Sequence, residues 1–325
     1  MNTLKQLPRK TLHHFCENLS KLADDKKFTY WRLPTVERWE VALRSFWSIG
    51  LEQRLPDVLG IGVKKSGTNA VVHFLKQHPL IKVPHEGKEI HFFDKHYSSG
   101  IQFYKANMPL VNESQLCFEK TPRYFVTGGA PKNIAKDILP KPKFLLCVRD
   151  PVKRALSDWH HETLIKTIKG RGRSSGVRTA ESEGKRFAQE VIRNDGTVNT
   201  RSDFIRTSIY DIHFERWLMY HSREQFLILE EEDISSDPYQ EMKRIEQFLG
   251  IGSFFKKKMF AYNKGKQVMC FVHENHREDC PPRYGVKIPH PTPTKGVIQT
   301  MRDFYRSHNK RFEDMLGMKF YWSDL

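Results

Sequence analysis

Between Val58 and Leu75 the chain passes from a short apolar run through Gly60-Ile61-Gly62-Val63-Lys64-Lys65-Ser66-Gly67-Thr68-Asn69-Ala70 into the helical pattern Val71, Val72, Leu75. A strand that hands over to a helix through glycines constrains the fold more than any other stretch. Glycines let the backbone turn tightly, so amide N–H groups and the positive helix end can face one bound anion. Lys65 and Thr68 add a charge and a donor there. A nucleoside triphosphatase would need G-x-x-x-x-G-K-[ST], with the lysine after the second glycine. Here Lys65 precedes Gly67. Taken alone, the loop suits an ordinary strand-to-helix turn equally well.

Four short apolar runs, Val58 to Val63, Leu116 to Phe118, Phe144 to Val148 and Phe226 to Leu229, are separated by helical stretches. They read as strands buried on both faces, hence an α/β, P-loop-like three-layer fold with a central parallel sheet. Residues 1–54 read as an N-terminal polar arm and an amphipathic helix, with Trp39, Leu43, Phe46 and Trp47 at helical spacing. Residues 55–325 form the main domain. Ile168 to Arg186, rich in Gly, Ser, Lys and Arg, reads as a surface insertion or mobile loop, and Lys295 to Leu316 as a closing helix. Tyr210 and Trp217 are seven apart and share a helix face; Trp217 is expected in the core, and Tyr210 stays open.

Lys and Arg number 54 against 38 Asp and Glu, a formal net charge of +16, so the surface carries a positive field that concentrates anions. The expected partner is a polyanion. A hydrophobic fraction of 38% excludes wholesale disorder, and five cysteines are too few for a disulfide scaffold. No apolar run reaches the roughly 18 residues of a membrane span. Val41 to Leu51 comes nearest, is short and holds Arg44, and no secretory signal is legible at the start. The composition therefore predicts a soluble protein.

The strand followed by K-x-G-T opening a helix resembles the 5′-phosphosulfate loop of sulfotransferases. Lys88-Glu89-Ile90-His91-Phe92-Phe93-Asp94, Phe118-Glu119-Lys120-Thr121-Pro122 with Tyr124-Phe125, and Val148-Arg149-Asp150-Pro151 with Arg154 and Ser157-Asp158 follow in order. With Ile209 to Leu218 and the Cys270/Cys280 pair, they resemble the heparan sulfate glucosamine 3-O-sulfotransferases over roughly Leu55 to Trp322. The resemblance implies transfer of sulfonate from 3′-phosphoadenosine 5′-phosphosulfate (PAPS) to a glucosamine hydroxyl of heparan sulfate, most simply position 3. It implies no metal and no nucleic acid. An N-sulfotransferase and a non-catalytic polyanion-binding protein are the alternatives.

Sulfuryl transfer needs a base for the hydroxyl proton, cations for the moving charge, and alignment. By resemblance Glu89 is the base, Lys65 and Lys120 flank the sulfonate, and Arg149 with Ser157 clamps the 3′-phosphate. Glu89 and His91 fall on the same side of an extended segment, and Asp94 orients His91 or binds a sugar hydroxyl. The implied donor site comprises Lys64, Lys65, Ser66, Gly67, Thr68, Asn69, Arg149, Ser157, Tyr284, Gly285 and Lys287. Lys88, Glu89, His91, Asp94, Lys120, Arg123, Arg283 and Lys287 are the implied acceptor contacts. Two departures bear on specificity. Asn69 stands where the family commonly has Arg, and Arg283 and Lys287 stand near the family's K-G-R after the second cysteine.

The family's C-terminal Cys-bounded hairpin makes Cys270 and Cys280 the implied disulfide, which requires an oxidising lumen. Without the resemblance, Cys270-x2-His273-x2-His276-x3-Cys280 also reads as a four-ligand zinc site with short intervals. Cys117 and Cys147 read as buried core thiols; Cys16 is left over. The resemblance implies the Golgi lumen or secretory pathway, and the sequons at Asn18 and Asn112 accord with it.

Overall fold

The computed structural model describes residues 50–169, 178–281, 289–323 and 325. Five parallel strands make the central sheet: β1 Val58–Gly62, β2 Ile81–Lys82, β3 Leu116–Lys120, β4 Lys143–Val148 and β5 Phe226–Glu230. Their order is β2-β3-β1-β4-β5. Every residue of β1 is buried, as a central strand covered on both faces requires.

Alternating side chains divide between two cores. Leu59, Ile61, Phe144, Leu146 and Ile228 pack one way, against α5 (Tyr210–Leu218) and the end of α8 (Lys295–Leu316), through Phe214, Trp217 and Phe312. Val58, Leu145, Cys147 and Leu229 pack the other way, against α1 (Thr68–Leu75) and α7 (Pro238–Leu249), through Val71, Phe74, Met242 and Ile245. A third cluster joins α3 (Pro151–Ile168) and α4 (Ala180–Val191) to the start of α8 through Trp159, Phe187 and Tyr305. The expected three layers are present. Helix α8 spans the predicted residues, Trp217 is fully buried, and Cys117 and Cys147 are buried thiols. Tyr210 is also core; its hydroxyl donates to the Arg149 carbonyl at 2.8 Å.

Beyond the sheet, β6 Phe260–Asn263, β7 Val268–Val272 and β8 Glu278–Asp279 form an antiparallel sheet closed by the Cys270–Cys280 disulfide. The zinc arrangement thus loses both thiolates. This unit docks on α1: His73 Nε2 lies 2.9 Å from the Asp279 carbonyl, and Gln77 Nε2 donates to Asp279 Oδ2 at 3.1 Å.

Two expectations need correction. Ala180 to Arg186 is not loop but the first half of α4, opened by a reciprocal Thr179–Ser182 capping box. Its apolar anchors Phe187 and Val191 fall beyond the stretch read as an insertion, so the pattern was invisible there. Strand β3 runs two residues past Phe118, through the buried charges Glu119 and Lys120, each of which finds its own polar partners inside the fold rather than facing water. Residues 1–49, with the arm, the amphipathic helix, Cys16 and the Asn18 sequon, lie outside the described residues, as do 170–177 and 282–288. No helix among the described residues is long and apolar enough to cross a membrane.

The strand order reverses at β1, which lies between β3 and β4. The turns that leave β1, β3, β4 and β5 therefore open along one carboxyl edge, the place where such sheets bind ligands.

Candidate active site

Gly60 and Gly62 lie inside β1, and their service is close approach rather than the turn. A Cβ at Gly60 would stand 2.9 Å from Lys120 Cγ, and one at Gly62 would stand 2.8 Å from Phe125 Cβ. The turn itself is made farther on, where Lys65 and Gly67 take left-handed φ values of 72° and 82°. For Lys65 that conformation is costly, as strained backbone at ligand sites often is. Helix α1 then begins without a side-chain cap, whereas α3 is capped by Asp150 accepting from Val152 and Lys153. An uncapped first turn leaves amide donors for an anion.

Beside this turn the structure assembles Glu89, Lys120, His91 and Asp94. Lys120 is almost fully buried; its ammonium donates to Glu89 Oε1 and to Asn69 Oδ1, each at 2.8 Å. Glu89 is about one third exposed, so its carboxylate, though held by Lys120, still meets solvent where a substrate would come. The His91 ring stands between two carboxylates: Nε2 is 3.2 Å from Glu89 Oε2, and Nδ1 is 2.9 Å from Asp94 Oδ2. Asp94 therefore holds one side of the His91 ring. The segment is not extended through His91, however, whose φ is 56°. The turn at His91 is what lets Asp94 reach its ring. Asn69, where the family commonly has Arg, ties the start of α1 to Lys120.

The remaining cations gather on the other side of the turn. Arg149 follows β4; its Nη1 donates to the Lys65 carbonyl at 3.3 Å and its Nε lies 3.1 Å from Glu231 Oε2. Glu231 opens α6 (Glu231–Ser236) directly after β5. Burial lowers the Lys65 ammonium below its ordinary value, and Lys64, Arg149 and Arg154 lower it further against the attraction of Asp158. Lys64 behaves oppositely: burial works against its charge, yet Asp158 at 2.8 Å and Glu162 at 2.5 Å raise it above the ordinary lysine value. Ser66 and Thr68 are buried in the turn. Ser157 is half-buried on α3, and no hydrogen bond joins it to Arg149 among the described residues. Tyr284, Gly285, Arg283 and Lys287 lie outside the described residues.

A cleft of about 500 Å³ leads away from the turn, walled by Lys64, Arg123, Lys166 and Arg201 and by Asp158, Glu162, Glu190 and Asp203. Its charge is mixed, unlike that of the chain. Arg123 and Lys88 are exposed, and Arg123 sits on the cleft wall three residues after Lys120.

The sequence pattern missed four groups. Glu119 is fully buried beneath Lys120, Glu231 faces Arg149, and Asp158 and Glu162 bracket Lys64. The i, i+4 carboxylates of α3 and the acidic run after β5 were the available signals.

The sulfotransferase domain family matches residues 55–290. Mouse heparan sulfate glucosamine 3-O-sulfotransferase 3B1 is 35% identical over 285 residues, covering 86% of this chain and 68% of its own. The human heparan sulfate glucosamine 3-O-sulfotransferase 6 is 35% identical over 272 residues, covering 83% of this chain and 74% of its own. The chain belongs to the heparan sulfate glucosamine 3-O-sulfotransferase family. At the level of fold alone, a sulfotransferase from Alicyclobacillus acidocaldarius superposes with a TM-score of 0.56 at 18% identity, covering 83% of this chain and 99% of that one. In this family member, then, the uncapped turn after β1 and the Glu89–Lys120 pair occupy one edge of the sheet.

Proposed function

We propose that this sulfotransferase moves a sulfonate group from PAPS to the 3-hydroxyl of a glucosamine unit in heparan sulfate, in the Golgi lumen or elsewhere in the secretory pathway. The observation that carries the reading is the Glu89 carboxylate held 2.8 Å from the buried Lys120 ammonium, beside an uncapped helix start. The donor's phosphates and sulfonate are anions, and the groups at this edge suit them. Amides of Lys65, Gly67, Thr68 and Asn69, with the Lys65 ammonium, would hold the 5′-phosphosulfate, since those of Val63, Ser66 and Ala70 donate to backbone carbonyls. Arg149 would hold the 3′-phosphate, and the cleft walled by Lys64 and Arg123 would take the polysaccharide.

In the transfer, the acceptor oxygen forms a bond to sulfur as the bond from sulfur to the bridging phosphate oxygen breaks. Glu89 takes the proton leaving the acceptor hydroxyl. Lys120 and Lys65 stabilise the charge that passes from the acceptor oxygen through the sulfonate to the leaving phosphate, a role suited to compact ammonium groups. His91, fixed by Asp94, keeps the second Glu89 oxygen in place and donates to it when protonated.

The test is incubation with 35S-labelled PAPS and heparan sulfate, beside the Glu89→Gln variant. Label should enter the polysaccharide with the parent protein and fall by roughly 10²- to 10⁴-fold with the variant. Disaccharide analysis then separates 3-O from N-sulfation. Equal transfer by both proteins would remove Glu89 from the role of base, and transfer by neither would favour a binding protein.

A further inference from the structure

Three consecutive backbone amides, Ile90 to Phe92, are tied to side chains that follow one another from the end of β3. The Ile90 amide points to Glu119 Oε1 at 3.5 Å, the His91 amide donates to Thr121 Oγ1 at 3.3 Å, and the Phe92 amide donates to the Tyr124 hydroxyl at 2.9 Å. Thr121 in turn donates its hydroxyl to Glu119 Oε1 at 2.5 Å, and Tyr104, on α2 (Ile101–Ala106), donates to Glu119 Oε2 at 3.0 Å. Glu119 has no exposed surface.

Accordingly we propose that Glu119 is a positioning residue: acting through Thr121 and the Ile90 amide, it fixes the backbone that carries Glu89 and His91 against Lys120. The inference rests on the sulfotransfer reading for its kinetic consequence, and on the hydrogen bonds alone for its structural one.

Strand alternation supplies the first part of the argument. Glu119 and Thr121 point to one side of β3 and Lys120 to the other, so one short segment presents the ammonium to the site while anchoring the opposing carboxylate from behind. Polarity supplies the second part. Each group around Glu119 is a donor to it, and an ionised carboxylate accepts only. The chain of donation therefore runs one way, from the His91 amide to the Thr121 hydroxyl to Glu119. A glutamine at 119 brings an NH₂ group into this ring of donors, and either Thr121 or Tyr104 must turn its hydroxyl round. Where Thr121 turns, its hydroxyl hydrogen faces the His91 amide and that tether is lost.

The experiment compares the parent protein with Glu119→Gln, Thr121→Val, Thr121→Ser and Tyr104→Phe. For each, transfer from 35S-PAPS gives kcat and both KM values, and hydrogen exchange read by mass spectrometry follows peptides covering residues 88–94. Glu119→Gln and Thr121→Val should lower kcat by about tenfold or more with the KM for PAPS within twofold, and should speed exchange in the 88–94 peptides. Thr121→Ser keeps the hydroxyl and should restore both readouts; Tyr104→Phe should fall between. Unchanged kcat and unchanged exchange in Glu119→Gln and Thr121→Val would overturn the proposal, as would a rise in the PAPS KM that alone accounts for lost activity. A parent protein that transfers no label would sink the sulfotransfer reading instead, and exchange in the 88–94 peptides would then decide the positioning role by itself.

Discussion

The Lys120 ammonium reaches Glu89 Oε1 at 2.8 Å from the strand below, across 31 residues of sequence, and spends a second hydrogen bond of the same length on Asn69. The contact joins the proposed base to the helix that opens the anion site. Replacing Lys120 by methionine keeps the apolar stem and removes the charge. Turnover should fall by roughly 10²- to 10³-fold, the loss typical of one preorganised donor at a developing negative charge. Because Glu89 is about one third exposed, it can be solvated once released, so the melting temperature should move little. Steady-state transfer assays and thermal melts on the same preparation check both halves.

Gly60→Ala tests whether the stem of Lys120 needs the bare backbone of β1. The added Cβ would lie 2.9 Å from Lys120 Cγ and 3.2 Å from the Phe118 ring. The Lys120 stem can shift and the buried Phe118 cannot easily follow, so a stability loss of about 1–3 kcal/mol is expected. The drop in kcat should exceed what the folded fraction explains. Urea unfolding gives the first quantity and active-site titration the second.

Lys64 is held by Asp158 and Glu162 on the wall of the cleft. Glu162→Gln removes one of these anions and frees part of the Lys64 charge for a sulfated polymer. The acceptor KM should fall roughly two- to fivefold, in keeping with the modest worth of a partly exposed ion pair. Its dependence on salt should steepen by roughly one released ion. Unchanged KM and slope at several salt concentrations would show that Lys64 does not meet the polymer.

The sheet was legible because strands covered on both faces must be apolar throughout, and Val58 to Val63, Phe144 to Val148 and Phe226 to Leu229 are. Helix α8 was legible because Met301, Tyr305, Phe312 and Leu316 repeat at helical spacing and are buried. Glu89 and Lys120 were legible only through the resemblance of their motifs, since an isolated charge in a sequence reads as solvated surface. What the pattern could not give is which charges meet. Asp150 stood beside Arg149 in the chain as a ready ion-pair partner, yet it caps α3, and the carboxylate at Arg149 is Glu231, at the start of α6 after the neighbouring strand β5. Glu119 gives no sign of its task in the sequence, because two of its three donors, the Ile90 amide and the Tyr104 hydroxyl, come from other parts of the chain.

Glu119 also makes a stability prediction that its positioning role does not. Burial pushes its carboxyl up to about 6, while Thr121, Tyr104, the Ile90 amide and Lys120 draw it back toward the ordinary range. Between about pH 4.5 and 6 the folded protein therefore binds more protons at this position than the unfolded chain. The stability slope with pH is negative there: the contribution is fully present below pH 4.5 and is lost as pH rises through about 6. Holding Glu119 ionised at pH 7 costs the fold about 2 kcal/mol. Glu119→Gln carries no charge to bury, so between pH 4.5 and 7 its stability should fall by about 2 kcal/mol less than the parent's. At pH 7 it should turn over more slowly than the parent, whatever the lost hydrogen bond does to its absolute stability. Urea midpoints of both proteins at pH 4 and pH 7 measure the difference, in which all other titrating groups cancel. Parallel pH dependence in the two would mean that Glu119 is not held ionised at the expense of stability.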